Sequence, residues 1–445
     1  MLVLLHCHNR AAISPSAPPY LQIMPAYGVR ALDIVVYGAT GYTGRLVAQY
    51  LAERAPELRV GLAGRSLTKL HAVRGSLPSV WADIPLLVCS HDNKPSLAQV
   101  AVQTAVLISC AGPFQADDNG NGSGSGGQNV VEACVNNLTH YVDSTGEPAF
   151  VRDVIRRFHD KAQAAGVCIV PACGMDSLPW DVVVYAATHN THTGRFVGTA
   201  LVDRVEVYAE LTNLRPSAGT LQSALTGVRD SNLLHEGKHL ADAWLGKTTG
   251  SKHHARVALR PHYSTVAKAW VLPMLVTVDV AIARRTLEHT QAQDPYGEPV
   301  DVHVGQYLVV RHKLAPLLIA LFAVFVLPLL FLVAKIPPLY ALASRFIRKD
   351  GWEGPTPQER AAAVLKVTAV GSSASGVHSL VNLTAKDPGY GTTAKWIGES
   401  ALLLLDKPKT SGTGGSTGGV LSPAAAFGQA IIDATVNNGI AVIDY

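Results

Sequence analysis

Gly38, Gly41 and Gly44 stand at the end of the apolar run Asp33-Ile-Val-Val-Tyr37 and open a stretch, Tyr42-Thr-Gly-Arg-Leu-Val47, with helical character. In a strand-to-helix turn such glycines have separate uses: a tight turn at Gly38, close approach of backbone amides to a pyrophosphate at Gly41, and close helix–strand packing at Gly44. A helix N-terminus also carries partial positive charge, so Gly38, Ala39, Thr40, Gly41, Tyr42, Thr43 and Gly44 are expected to cradle a dinucleotide. The next apolar run, Arg59-Val-Gly-Leu-Ala63, ends in Gly64-Arg65-Ser66. An NAD site would place a carboxylate there for the ribose hydroxyls. Arg65 instead suits a 2′-phosphate through paired charge-assisted hydrogen bonds, with Ser66 adding a hydroxyl, so the expected cofactor is NADP.

A second group of residues could complete a redox reaction. The small residues Ala111-Gly112-Pro113 allow close approach of a nicotinamide ring. Tyr141, Asp143, Glu147, Asp176 and Ser177 fall near the carboxyl ends of two further predicted strands, where a proton donor opposite the hydride would stand. Each also has a structural use: Asp143 can hold loop amides, and Ser177 can cap a helix. Ser217, Gly219, Thr220 and Ser223 begin a predicted helix, as caps or as contacts to substrate or cofactor, and Tyr390 lies in the turn Asp387 to Gly391. His253 and His254 lack a recognisable ligand set, so no metal is expected.

These residues need a doubly wound scaffold to position them. From Asp33 to Cys173, short apolar runs alternate with amphipathic stretches, and Pro85–Ser90, Thr104–Gly112, Thr139–Asp143 and Val167–Pro171 supply four more strands. The glycine-rich stretch Ala116–Gly127 is expected as a mobile loop bordering the cleft, either a lid or a tolerated insertion. Beyond residue 176, longer alternating runs such as Asp203–Glu210 and Val364–Val370 indicate mostly antiparallel strands. The expected fold is α/β: an N-terminal Rossmann doubly wound parallel sheet at 33–175, then a second α+β domain at 176–445 with a membrane-associating apolar segment. Residues 1–32 are expected to be a disordered leader.

The apolar segment runs from Leu314 to Ala334 without a charge. It has the length to cross a bilayer core at about 1.5 Å per residue. Basic residues flank both ends, Pro316 and Pro328 interrupt it, and the second domain continues after it. A segment that dips into one leaflet and returns is therefore favoured over a crossing, with a buried core helix as the alternative. Hydrophobic residues make up 48% of the chain and charged ones 16%, which also favours lipid contact. The formal charge is only +4, so nucleic acid is not expected as a partner. Six dispersed cysteines form no CxxC pair and are expected as reduced thiols.

Together, Gly38-Ala-Thr-Gly-Tyr-Thr-Gly44, Ala63-Gly-Arg-Ser66, Ala111-Gly-Pro-Phe114, Tyr141-Val-Asp-Ser-Thr-Gly-Glu147, Ala172-Cys-Gly-Met-Asp-Ser-Leu-Pro179, Asp387-Pro-Gly-Tyr-Gly391 and Gly418-Gly-Val-Leu-Ser-Pro-Ala424 carry a resemblance. From residue 33 to the C-terminus the chain resembles the saccharopine dehydrogenase-like oxidoreductase family, which includes mycobacterial trans-acting enoyl reductases and eukaryotic lipid-droplet-associated members. The resemblance implies an NADP-linked oxidoreductase acting on a lipid acyl or polyketide-type intermediate, at a membrane or lipid-droplet surface. The expected location is the cytosolic face of a lipid droplet or the endoplasmic reticulum, with the mitochondrion as the alternative. The sequence departs from the family where the glycine-rich loop replaces a short Tyr-Gly link. Two other readings remain open: an amino-acid or imine reductase, which needs converging arginines, and a non-catalytic lipid-surface protein. The oligomeric state is not legible.

Overall fold

The structure is a computed structural model. It describes residues 30–115, 126–175, 177–189, 202–230, 261–273, 278–292, 302–312, 314–347, 354–373, 376–406 and 418–445. The expected leader, most of the Ala116–Gly127 loop, Asp176, His253 and His254 lie outside them.

In chain order the first part comprises β1 (Leu32–Tyr37), α1 (Tyr42–Arg54), β2 (Val60–Gly64), α2 (Leu67–Gly75), β3 (Leu86–Val88), α3 (Lys94–Ala101), β4 (Thr104–Ser109), α4 (Gly126–Asn136), β5 (His140–Asp143), α5 (Pro148–Ala164), β6 (Cys168–Val170) and α6 (Leu178–Thr188). There follow β7 (Arg204–Thr212), α7 (Ala218–Asp230), β8 (His262–Ser264), β9 (Ala269–Pro273), α8 (Val278–Ala292), β10 (His303–Val310), α9 (Ala315–Leu321), α10 (Leu327–Lys335), α11 (Pro337–Ile347) and α12 (Pro357–Ala361). The last part comprises β11 (Val364–Ser373), β12 (Gly376–Lys386), α13 (Thr393–Asp406), β13 (Gly419–Val420), α14 (Pro423–Phe427), α15 (Gln429–Asn437) and β14 (Val442–Asp444).

The first sheet has the order β13-β6-β5-β4-β1-β2-β3, and every neighbouring pair is parallel. Six of its strands are those expected from the sequence, in the doubly wound order that turns back beside β1 and opens a ligand crevice there. Ile34, Val35 and Val36 of β1 are fully buried, as a central strand covered on both faces requires. The seventh strand comes from residues 419–420, and α13 packs on α1 and against β4 and β5. The C-terminal stretch thus returns to the first sheet.

The second sheet has the order β14-β12-β11-β7-β10-β9-β8. It is antiparallel except for the β7–β10 pair, which runs parallel with Tyr307 opposite Tyr208. Helix α6 is buried along its whole length, so its apolar residues need no solvent-facing stripe. Its Asp181 accepts hydrogen bonds from Thr286 Oγ1 at 2.5 Å and from the Ala424 amide at 2.7 Å, which tie α6 to α8 and α14.

The Leu314–Ala334 segment is not a buried core helix. Phe325 is 65% exposed and Leu329 58% exposed, with Leu317, Leu321, Phe322 and Leu332 exposed around them. A π-turn at Phe322–Val326 stands between α9 and α10, just ahead of Pro328, whose missing N–H and ring disturb the regular ladder. Among the described residues no single helix is long and apolar enough to cross a membrane. Instead Val324–Lys335 and Pro337–Ile347 form a pair bent by 100° at Ile336, where two prolines follow.

Candidate active site

The Gly38–Gly44 loop has the geometry its glycines require. Gly38 has φ of +77°, and a Cβ on it would lie 2.8 Å from the Ala111 amide nitrogen. A Cβ on Gly44 would lie 2.9 Å from Ala39 Cα, so the helix could not pack so closely on the turn. Gly41 caps α1 without a side-chain hydrogen bond, and no acid lies in the first turn. The loop with the open end of α1 therefore fits an anion such as a pyrophosphate. Ala39 is buried beneath it, and Thr40 approaches Gly64 across the turn, its Cγ2 3.8 Å from where a Cβ there would stand.

Arg65 projects at the carboxyl end of β2 and is exposed, where a 2′-phosphate can reach it. Its positive charge helps hold the Asp92 carboxyl below its usual range, after the larger effect of the Ser90 hydroxyl hydrogen bond. Ser66 accepts from the Lys69 amide at 3.4 Å and so caps α2.

The Ala111-Gly112-Pro113 turn follows β4, with a cis Gly112–Pro113 peptide. Glu147 holds the residues that follow it: its carboxylate accepts from the Phe114 amide at 3.0 Å and from the Gln115 amide at 2.8 Å. The Phe114 and Phe150 rings pack at 5.3 Å beneath. Opposite, Ser223 Oγ of α7 stands 3.6 Å from the position of a Cβ on Gly112. The described part of this turn is thus lined by Gly112 on the cofactor side and by α7 on the second-domain side.

The candidate proton donors occupy different places. Tyr141 and Asp143 are fully buried. Tyr141 donates to Asp143 Oδ2 at 2.8 Å, while Asp143 Oδ1 accepts from the Thr145 amide at 2.9 Å and the Ala172 amide at 2.8 Å. Ala172 has φ of +62°, so Asp143 supports a backbone conformation that a non-glycine residue rarely adopts. Burial pushes the Asp143 carboxyl up to about 7 against the lowering effect of those hydrogen bonds. Ser177 is also fully buried; it makes no side-chain cap, and its hydroxyl donates to Asp279 at 3.1 Å. Tyr141, Asp143 and Ser177 thus reach neighbouring protein groups rather than the crevice.

Tyr390 contributes more than its place in a turn suggested. Its hydroxyl accepts from the Ser217 amide and lies 3.1 Å from Thr220 Oγ1, while Ser217 Oγ accepts from the Thr220 amide at 3.3 Å and caps α7. Tyr42 of the glycine loop packs edge-on against Tyr390 at 4.9 Å and donates to the Pro355 carbonyl. Arg360 lies over the Tyr42 ring at 5.9 Å and pairs with Asp387 at 3.3 Å. The second domain therefore closes directly onto the cofactor loop. Sequence reasoning missed Arg360 and Pro355; the only available signal was the Asp387–Gly391 motif beside them.

Arg215 and Arg360 line one small pocket beside Tyr390, each already paired with a carboxylate, Glu359 and Asp387 respectively. Arg215 pairs with Glu359 at 2.8 Å, and Arg229 lies 4.4 Å over the Tyr340 ring. Cys89, Cys110, Cys134, Cys168 and Cys173 are free thiols. No cluster among the described residues has the side chains to hold a metal.

A Rossmann crevice with a phosphate-binding loop, an arginine at the ribose position and a second sheet domain closing over it defines a nicotinamide-dependent oxidoreductase. Residues 34–170 match the saccharopine dehydrogenase NADP binding domain. A trans-acting enoyl reductase of Mycobacterium ulcerans is 28% identical over 93% of this chain and 97% of its own length. A saccharopine dehydrogenase-like oxidoreductase of Bos taurus is 28% identical over 92% of this chain and 96% of its own length. Among solved structures, apo saccharopine dehydrogenase (L-Glu forming) of Saccharomyces cerevisiae shares the fold, with a TM-score of 0.50 and 14% identity over 93% of this chain and 99% of that one. Over most of its length the chain is thus similar to saccharopine dehydrogenase-like oxidoreductases and trans-acting enoyl reductases, and its nicotinamide cofactor is NADP.

Proposed function

We propose that the protein reduces an activated carbon–carbon double bond of a lipid acyl or polyketide-type intermediate, working from a phospholipid surface on the cytosolic side. The single observation that carries the reading is the position of α7, which faces Gly112 with Ser223 and seats the exposed apolar helices α10 and α11 with its later turns. A trans-acting enoyl reductase among the relatives supports the reaction class.

The bound nicotinamide supplies a hydride, and the product needs one proton delivered to the neighbouring carbon. Gly112 and Pro113 would form the floor for the nicotinamide, which Glu147 fixes through the Phe114 and Gln115 amides. Arg65 would hold the 2′-phosphate, and the open end of α1 the pyrophosphate. Thr220 and Ser223 provide hydroxyls to orient a substrate carbonyl. For the proton, Asp176 is the proposed donor; Tyr141, Asp143 and Ser177, held by neighbouring protein groups, act as positioning residues.

The lipid surface is proposed from chemistry on the outer faces of α9 to α11. Phe325, Leu329 and Phe346 are more than half exposed, and Arg311, Lys335 and Arg345 flank them, which suits apolar insertion under anionic headgroups. The test is NADPH oxidation with an enoyl thioester, alongside co-sedimentation with vesicles of phosphatidylcholine and phosphatidylglycerol. Turnover with pelleting supports the reading. Turnover only with imine or amino-acid substrates, or self-association of vesicle-free protein through these helices, contradicts it.

A further inference from the structure

Helix α7 touches both halves of the proposed function. At its beginning, Thr220 lies 3.1 Å from the Tyr390 hydroxyl and Ser223 faces Gly112. One residue before Ser223, the chain turns to the apolar helices. Gln222 Nε2 donates to the Tyr340 hydroxyl at 3.1 Å and to Ser344 Oγ at 3.3 Å. Thr226 Oγ1 stands 3.1 Å from the same tyrosine hydroxyl. Further along, Arg229 lies over the Tyr340 ring, and Lys335 Nζ donates to the Arg229 carbonyl at 2.6 Å.

This seat is polar where the outer faces of the same helices are apolar. Ala334 and Ser344 are buried on the inner side, while Phe325 and Phe346 project outward. It is also incompletely satisfied. Gln222 is only 6% exposed, and its Oε1 has no hydrogen-bond partner. The Tyr340, Ser344 and Thr226 hydroxyls around this amide can each donate as well as accept, so turning the amide over satisfies Oε1 and gives the seat a second hydrogen-bonding arrangement. A surface that binds one arrangement of the helices better than the other shifts the balance between them.

We propose that α7 transmits docking of α10 and α11 on an anionic phospholipid surface to the nicotinamide side of the site, re-seating Gln222 and Tyr340 and admitting an acyl substrate from the lipid beside Ser223. This rests on the lipid-surface reading above. The short path makes the coupling direct: Gln222 and Ser223 are consecutive, so a shift of the helix at one moves the other.

The test follows amide hydrogen exchange of residues 217–230 and NADPH affinity in the full-length protein, with and without phosphatidylcholine–phosphatidylglycerol vesicles, alongside co-sedimentation. Vesicles are expected to change exchange or affinity by about tenfold in the wild type, a common size for coupling between sites. Tyr340→Phe, which keeps the ring under Arg229, should pellet with vesicles as the wild type does yet lose that response. Gln222→Leu is the second variant, and its vesicle-free NADPH affinity and circular dichroism establish that it is folded. Pelleting of the wild type without any change on α7 overturns the coupling alone, as does an undiminished response in both variants. Failure of the wild type to pellet overturns the lipid-surface reading and the coupling with it.

Discussion

Tyr141 and Asp143, two residues apart on the same strand, are joined by a 2.8 Å hydrogen bond from the phenol to the carboxylate inside the first sheet. The bond locks a carboxylate that also receives the Thr145 and Ala172 amides, so both side chains brace the crevice from beneath. Tyr141→Phe should therefore retain NADPH binding and most activity. Asp143→Ala leaves two buried amides without an acceptor and should lower stability by about 2–6 kcal/mol, since each such group costs roughly 1–3 kcal/mol. Urea denaturation of both variants, set against their turnover, checks this; a silent Asp143→Ala contradicts the bracing role.

Asp181 gives a pH signature. Burial pushes its carboxyl up to about 7, well above the ordinary carboxylate range, against the lowering effect of the Thr286 and Ala424 hydrogen bonds. A raised folded-state value means that the folded chain holds the proton more tightly. The contribution is fully present below about pH 4 and is lost as pH rises through 7. Asp181→Asn, neutral throughout, should gain stability relative to the wild type between pH 5 and 8 on the order of one to a few kcal/mol. A relative stability that does not change over that range would sink the assignment.

Glu147 is expected to matter for the cofactor floor more than for the chemistry. Glu147→Gln keeps one good acceptor, whereas Glu147→Ala removes the acceptor of both the Phe114 and Gln115 amides. The alanine variant should weaken NADPH binding by roughly 10-fold or more, given about 1–3 kcal/mol for each orphaned amide. Partial rescue by glutamine in a nicotinamide-fluorescence titration distinguishes this from a proton-donor role, in which both variants would lose turnover alike.

Asp176 carries the opposite expectation. Asp176→Asn should reduce turnover by about 10²–10⁴-fold, the usual size of general acid catalysis, with NADPH affinity unchanged. Near-normal steady-state turnover would remove it as the donor.

Much of the first sheet was legible because its strands are short apolar runs separated by amphipathic helices, and the glycine spacing stated what the turn had to do. The strand at Gly419–Val420 was not, because two residues carry no periodicity and their pairing with Cys168 and Ile169 spans most of the chain. The side chains of Tyr141, Asp143 and Ser177 show a related limit. Strand position placed them at the carboxyl ends, but their partners, Ala172 and Asp279 among them, arrive from other elements. The uncharged run from Leu314 to Ala334 announced an apolar surface. The bend at Ile336 and the polar seat of Gln222 and Tyr340 depend on contacts that no local pattern encodes.

The central claim is an NADP-dependent oxidoreductase whose selectivity comes from Arg65, and titration of the wild type and Arg65→Ala with NADPH and NADH tests it most directly. NADPH should bind the wild type more tightly than NADH, and the substitution should weaken NADPH alone by roughly 10- to 100-fold, the loss of a charge-assisted hydrogen-bonded pair. Binding of neither nucleotide, or equal weakening of both, would contradict the account.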